Sequence, residues 1–254
     1  MNPPHVSLIG VPGLPMVQPG DDLPALIAQA LARADLSLQP GDVLVVTSKV
    51  VSKAEGRLLD LHTVTPSTRA LEVAATTQKD PRLVEVVLRE STAISRMRSG
   101  VLIVTHRLGF TSANAGVDHS NVGMGEDWVL LLPEDPDASA RALRARLEAL
   151  TGVAPGVVIS DSHGRPFRLG NVNVAIGVAG VPALWDQRGR ADLFGRVLRA
   201  TVTAPADEIA AAAGLVAGQA AEALPVVLVR GLSLPAGDGA AADLVRPQEM
   251  DLYR

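Results

Sequence analysis

Short unbroken apolar runs are the strongest constraint on this chain. Val43–Val46, Gly156–Ile159 and Val226–Val229 do not alternate with polar residues. Runs of that length and bounded by polar residues read as strands covered on both faces. The middle run continues through Ser160 into Asp161-Ser162-His163-Gly164-Arg165-Pro166-Phe167-Arg168-Leu169-Gly170, which reads as a loop carrying a carboxylate, a hydroxyl, an imidazole and two guanidiniums. A hard divalent cation takes oxygen ligands such as Asp161 and Ser162, and Arg forks complement carboxylate or phosphate oxygens bidentately. The plain alternative is a surface Asx turn with unconnected arginines.

Around the runs, the pattern is mixed. Val6–Val11 reads as a further strand, and Leu23, Leu26, Ile27, Ala30 and Leu31 recur at helical spacing behind Asp21-Asp22. Helices are expected over 66–78, with Ser67 or Thr65 as cap, over 81–90, over 137–150 and over 206–217. Strands are expected over 101–105, 128–132, 172–178 and 196–203, and loops over 113–125 and beyond Ala236. No regular strand-helix repeat emerges, which favours α+β over a doubly wound sheet. The 254 residues, 47% of them hydrophobic, can bury a full core. Two regions are expected, 1–153 and 154–254, parting near Thr151–Gly156.

Charge and composition exclude several classes. A formal charge of −4 without a basic stripe argues against a nucleic-acid binder. Zero cysteines remove disulfides, thiolate catalysis and Cys-ligated metals. The N-terminus lacks a signal peptide's basic and apolar regions, and no apolar stretch approaches the ~20 residues of a membrane span. A soluble, cytoplasmic protein is the expectation.

Four further segments carry candidate chemistry. Only three lysines occur, and Lys49 and Lys53 fall within Thr47-Ser48-Lys49-Val50-Val51-Ser52-Lys53. Compact ammonium groups suit nucleotide phosphates, although a solvated helix start has the same spacing. This is not a Walker A loop, since its glycines are missing. Asn114-Ala115-Gly116-Val117-Asp118-His119-Ser120-Asn121 could supply metal oxygens and a base or ribose contact, or simply turn the chain. His119 and His163 could act as bases, but a loop His is commonly a spectator. Gly218-Gln219-Ala220-Ala221-Glu222 and Gly13-Leu14-Pro15-Met16 are weaker: each reads as well as a helix terminus or a turn.

In order, Gly13–Met16, Val46–Arg57, Asn114–Asn121, Ser160–Arg168, Ala206–Ala213 and Val226–Leu232 resemble the coenzyme F420-0:L-glutamate ligase family. The resemblance implies GTP-dependent addition of L-glutamate to the lactyl carboxylate of a deazaflavin cofactor, in an intertwined homodimer of two-domain α+β subunits. It implies nucleotide contacts at Leu14, Pro15, Met16, Val17, Ser48, Lys49, Lys53, Asn121, Ala217, Gly218, Ala220, Ala221, Glu222, Ala223 and Leu224. Mg2+ or Mn2+ would be held by Asp118, Asp161, Ser162 and Gln219, with K+ left open. Gln219 departs from archaeal relatives, which carry an acid there. Our own assignment gives Arg165 and Arg168 the anionic substrate. A phosphotransferase or ligase acting on another acid, a nucleotide-binding module serving a partner, and a fragment of a ligase fused to a flavin reductase are the alternatives.

Overall fold

The computed structural model describes residues 3–123 and 125–251. Its framework is a five-stranded mixed sheet in the order β1, β12, β2, β8, β9. These strands are β1 (Ser7–Gly10), β2 (Val43–Thr47), β8 (Gly156–Arg165), β9 (Arg168–Ala179) and β12 (Val226–Arg230). Only β2 and β8 run parallel; the other neighbours are antiparallel. The three apolar runs are the three central strands. Period-2 side-chain alternation divides each between two cores. Leu44, Val46, Val157, Ile159, Val226 and Leu228 face one side, and Val43, Val45, Val158, Val227 and Val229 the other.

On the first side lie α1 (Leu23–Arg33) and α5 (Pro136–Thr151), which bury Ile27, Leu143 and Leu147. Both helices have Pro in the first turn and an aspartate cap: Asp22 accepts from Ala25 N–H and Asp135 from Ala138 N–H. On the second side lies α6 (Pro205–Ala217), whose Ala206, Ile209, Ala210 and Ala213 are buried. Gly177 lets α5 close on the sheet, because a Cβ there would lie 2.3 Å from the Pro136 carbonyl oxygen. The edge strand β9 is blunted by side chains: Asp137 accepts from Val178 N–H and Asp207 from Ala175 N–H.

The long excursion between β2 and α5 forms a third core. It holds α2 (Ser48–Ala54), β3 (Leu58–Asp60), α3 (Thr68–Thr77), α4 (Pro81–Arg89), β4 (Ser91–Arg98), β5 (Val101–His106), β6 (Thr111–Ala113) and β7 (Trp128–Leu130). Leu61, Val73, Val84, Val87, Leu102, Val104 and Val129 close on one another there. Arg57 fastens this layer to the rest by donating to the Leu132 carbonyl and to Glu90. The boundary expected near residue 153 falls between α5 and β8, and the central sheet hydrogen-bonds across it, taking β1 and β2 from one side and β8, β9 and β12 from the other.

Three expectations need correction. The segment 161–170 is a β-hairpin and not a loop: Asp161 pairs with Val174, Ser162 with Asn173 and His163 with Val172, and the chain turns at Pro166-Phe167. Polar side chains ride on strands here because the hairpin runs out beyond the apolar core, which removes the apolar pattern but not the backbone pairing. Over 196–203 only β11 (Val202–Thr203) is strand, paired with β10 (Trp185–Asp186). The helix expected from Pro66 starts at Thr68, with Ser67 Oγ accepting from Ala70 N–H. Met124, inside the loop expected over 113–125, lies outside the described residues.

Candidate active site

The parallel pairing of β2 with β8 ends where β2 does, at Thr47 opposite Ser160, and β8 runs on into the hairpin. The C-terminal ends of parallel strands are where open sheets place ligands. The next residue of each strand meets its counterpart: Ser48 Oγ donates to Asp161 Oδ1 at 2.9 Å. Lys49 reaches a third segment, with its ammonium 2.7 Å from Asp118 Oδ2 and donating to Ser120 O at 2.6 Å and Ser120 Oγ at 3.0 Å. One helical turn on, Lys53 Nζ donates to Asn121 O at 2.8 Å. Asn121, held at φ +55°, donates from Nδ2 to Ala220 O at 3.1 Å and so joins a fourth segment. Four stretches remote in sequence thus meet at one end of the sheet.

Burial and charge pairing oppose each other in the cluster. Burial pushes the Asp118 carboxyl up, but hydrogen bonds from Lys49 and Ser120 outweigh it and leave the group below its ordinary value. Burial, and then the neighbouring Lys49 charge, pull the Lys53 ammonium down. The His163 Nε2 atom is buried 3.2 Å from Asp161 Oδ2, out of line for a hydrogen bond. Its ring leans on Phe110 at 4.8 Å, which stacks on the fully buried His106 at 5.0 Å.

The expected residues fall into distinct places. Asp118 and Asp161 are linked through consecutive residues, Ser48 and Lys49. Ser162 and Gln219 form another pair, linked through Asn173: Ser162 lies opposite it on the hairpin, and Gln219 Nε2 donates to Asn173 Oδ1 at 2.7 Å. Alternation therefore turns Ser162 toward α6 and Asp161 toward Ser48. Ala217 ends α6, and past Gly218 and Gln219 the chain folds on itself, with Ala220 N–H donating to Glu222 Oε2. Those backbone donors hold the Glu222 carboxyl low. Beyond Ala221 and Ala223, Leu224 packs over Gly10. Leu14 packs on the first core and Val17 is buried, whereas Pro15 and Met16 face solvent; the segment returns to α2 through Gly20 N–H to Ala54 O. Arg165 and Arg168 face each other at the hairpin tip, about 13 Å beyond Asp161 along the strand. Neither guanidinium touches the Asp118–Asp161 cluster; Arg165 donates to Leu169 O. Sequence reasoning passed over Asn173, which is buried and orders Gln219; its one signal is a polar residue between Val172 and Val174.

Fold and site together define an α+β enzyme that gathers Lys49, Lys53, Asp118 and Asp161 from three segments at one end of its central sheet. The chain belongs to the F420-0:gamma-glutamyl ligase family, whose profile matches residues 13–231. It is 47% identical to the coenzyme F420:L-glutamate ligase of Methanothermobacter thermautotrophicus over 98% of this chain and 99% of that protein. Against the enzyme of the same name from Methanopyrus kandleri it is 48% identical over 99% and 98%, and against that of Methanocaldococcus jannaschii 44% over 98% and 97%. Among the described residues no helix is long and apolar enough to cross a membrane.

Proposed function

We propose that this chain is a GTP-dependent ligase that joins L-glutamate to the lactyl carboxylate of F420-0 in coenzyme F420 biosynthesis. The observation that carries the reading is the convergence of Ser48, Lys49, Lys53, Asp118, Asn121 and Asp161 at the end of the parallel strand pair, in a chain of this family.

A carboxylate resists attack by an amine until one oxygen becomes a leaving group. In the proposed reaction the γ-phosphoryl group passes from GTP to a carboxylate oxygen of the acceptor. The glutamate nitrogen then bonds to the carbonyl carbon, phosphate leaves with that oxygen, and the amine gives up a proton. No protein nucleophile is required, in keeping with a chain that has no cysteine. Positioning and charge neutralisation suffice. Lys53 takes a phosphate oxygen, Asn121 and the 217–224 turn line the nucleotide, and Ser48 fixes Asp161.

The donor set fits a hard cation. Asp118, Asp161, Ser162 and Gln219 offer oxygen only, and Mg2+ commonly takes one or two carboxylates plus substrate phosphates in place of an all-protein cage. Among the described residues no three acidic or imidazole groups gather into a site, so substrate phosphates would have to complete the coordination. Asp118 and Asp161 would hold Mg2+ or Mn2+, which would shield triphosphate charge; Ser162 and Gln219, on the other face of the hairpin, would serve a second ion, and K+ is a further candidate. A homodimer is part of the proposal, supported by Leu193 and Phe194, which stand 98% and 96% exposed between β10 and β11.

Acceptor labelled with oxygen-18 in its carboxylate tests the mechanism. Incubated with glutamate, GTP and Mn2+, it passes one label to inorganic phosphate. Unlabelled phosphate, or a phosphorylated enzyme accumulating when glutamate is omitted, overturns it.

A further inference from the structure

A cavity of about 510 Å3 opens beside His163, whose Nε2 lies 3.2 Å from Asp161 Oδ2. Its walls come from the β5–β6 turn, β9, the starts of α5 and α6, and the segment 241–246. The size lies in the range of about 300–1,000 Å3 that encloses cofactor-sized ligands, and is several times what a five-carbon amino acid fills. Phe110, Val174, Ile176 and Leu244 make much of the lining apolar.

Its polar groups, Glu134, Asp135, Asp137, Asp207, His163 and Arg246, differ in availability. Asp137 spends both oxygens on the backbone N–H groups of Val178, Ala241 and Ala242, and Asp135 spends Oδ1 on that of Ala138. Asp207 Oδ1 accepts from Ala175 N–H, which leaves Oδ2 for a ligand. Arg246 has no ion-pair partner among the described residues, and the His163 Nε2 atom is buried without a hydrogen bond. Apolar walls and a volume several times that of glutamate suit a flat ring, with the second Asp207 oxygen to accept from a ring N–H and Arg246 to meet an anionic tail.

We infer that this cavity holds the heteroaromatic ring of the acceptor substrate, with Phe110 along the ring, Asp207 accepting from a ring N–H, Arg246 meeting the anionic linker and the tail carboxylate passing His163 toward Asp161. The inference rests on the proposed ligase activity and adds its acceptor subsite.

Ala242→Trp fills the cavity from an exposed position, and Arg246→Glu reverses the free charge. For both, the KM for the deazaflavin precursor rises about tenfold or more while the KM for glutamate and the calorimetric affinity for GTP stay unchanged. Quenching of the precursor's own fluorescence on titration with protein weakens in parallel. Wild-type turnover with an unaltered acceptor KM in both variants overturns the cavity assignment. A wild-type protein that neither binds nor consumes the precursor overturns the ligase reading instead.

Discussion

Lys49→Met isolates the ion pair that holds the site together in the absence of ligand. Methionine keeps the length of the apolar stem and removes the ammonium. The variant loses one contact of 2.7 Å to Asp118 and two, of 2.6 and 3.0 Å, to Ser120. A charge-assisted hydrogen bond is worth about 1.5–3 kcal/mol, but an exposed pair only about 0–1. With the two side chains 26% and 39% exposed, the expected loss is about 1–2 kcal/mol at pH 7. Asp118 has a lowered folded-state pKa, so its contribution is present above the unfolded carboxylate value and disappears as pH falls through the folded one. Urea unfolding should therefore show a lower midpoint than wild type at pH 5–8 and converging midpoints near pH 3. Mn2+ should recover more stability in the variant than in wild type, because Asp118 no longer has to exchange a lysine for the ion. Equal midpoints at pH 7 would refute the reasoning. A deficit that persists at pH 3 would assign the loss to the Ser120 hydrogen bonds or to packing, and not to the ion pair.

Asp161→Asn should abolish turnover while far-UV circular dichroism stays native; near-normal activity at limiting Mn2+ contradicts its place in the site. Lys53→Ala should weaken nucleotide binding by about 1–3 kcal/mol, and calorimetry showing unchanged affinity removes Lys53 from the phosphates. Leu193→Asp with Phe194→Asp should shift the mass in light scattering from dimer to monomer; a wild-type protein that is already monomeric and fully active rejects the dimer.

Much of the framework was legible because burial on both faces leaves unbroken apolar strands, as in β2, β8 and β12, and because Asp-Pro pairs announce helix starts, as at Asp80-Pro81 and Asp135-Pro136. The hairpin over 161–170 was not, since its side chains point into solvent or the site and carry no hydrophobic period. β4 was missed for a related reason: nearly every residue of Ser91–Arg98 is exposed or half-exposed. In the site, the residue types at 48–53, 118–121 and 161 pointed to phosphate and cation chemistry, and resemblance named the ligands. The pairing itself, Ser48 with Asp161 across 113 residues and Lys53 with Asn121 across 68, is a property of sheet order that spacing cannot express. The same holds for the cavity, whose walls meet only once α5, α6 and the 241–246 segment have packed.

The sheet order also bears on how the chain emerges during synthesis. β12 is the last strand made, yet it lies between β1 and β2, the first two. Until about residue 230 has left the ribosome, both early strands keep an unpaired edge, and Val43–Val46 has no partner on that side. Exposed edges of apolar strands invite pairing with other chains. Truncation before β12 should therefore give aggregates and not a smaller folded protein. Since the turn at 217–224, proposed to line the nucleotide, leads directly into β12, it takes its place as the sheet is completed.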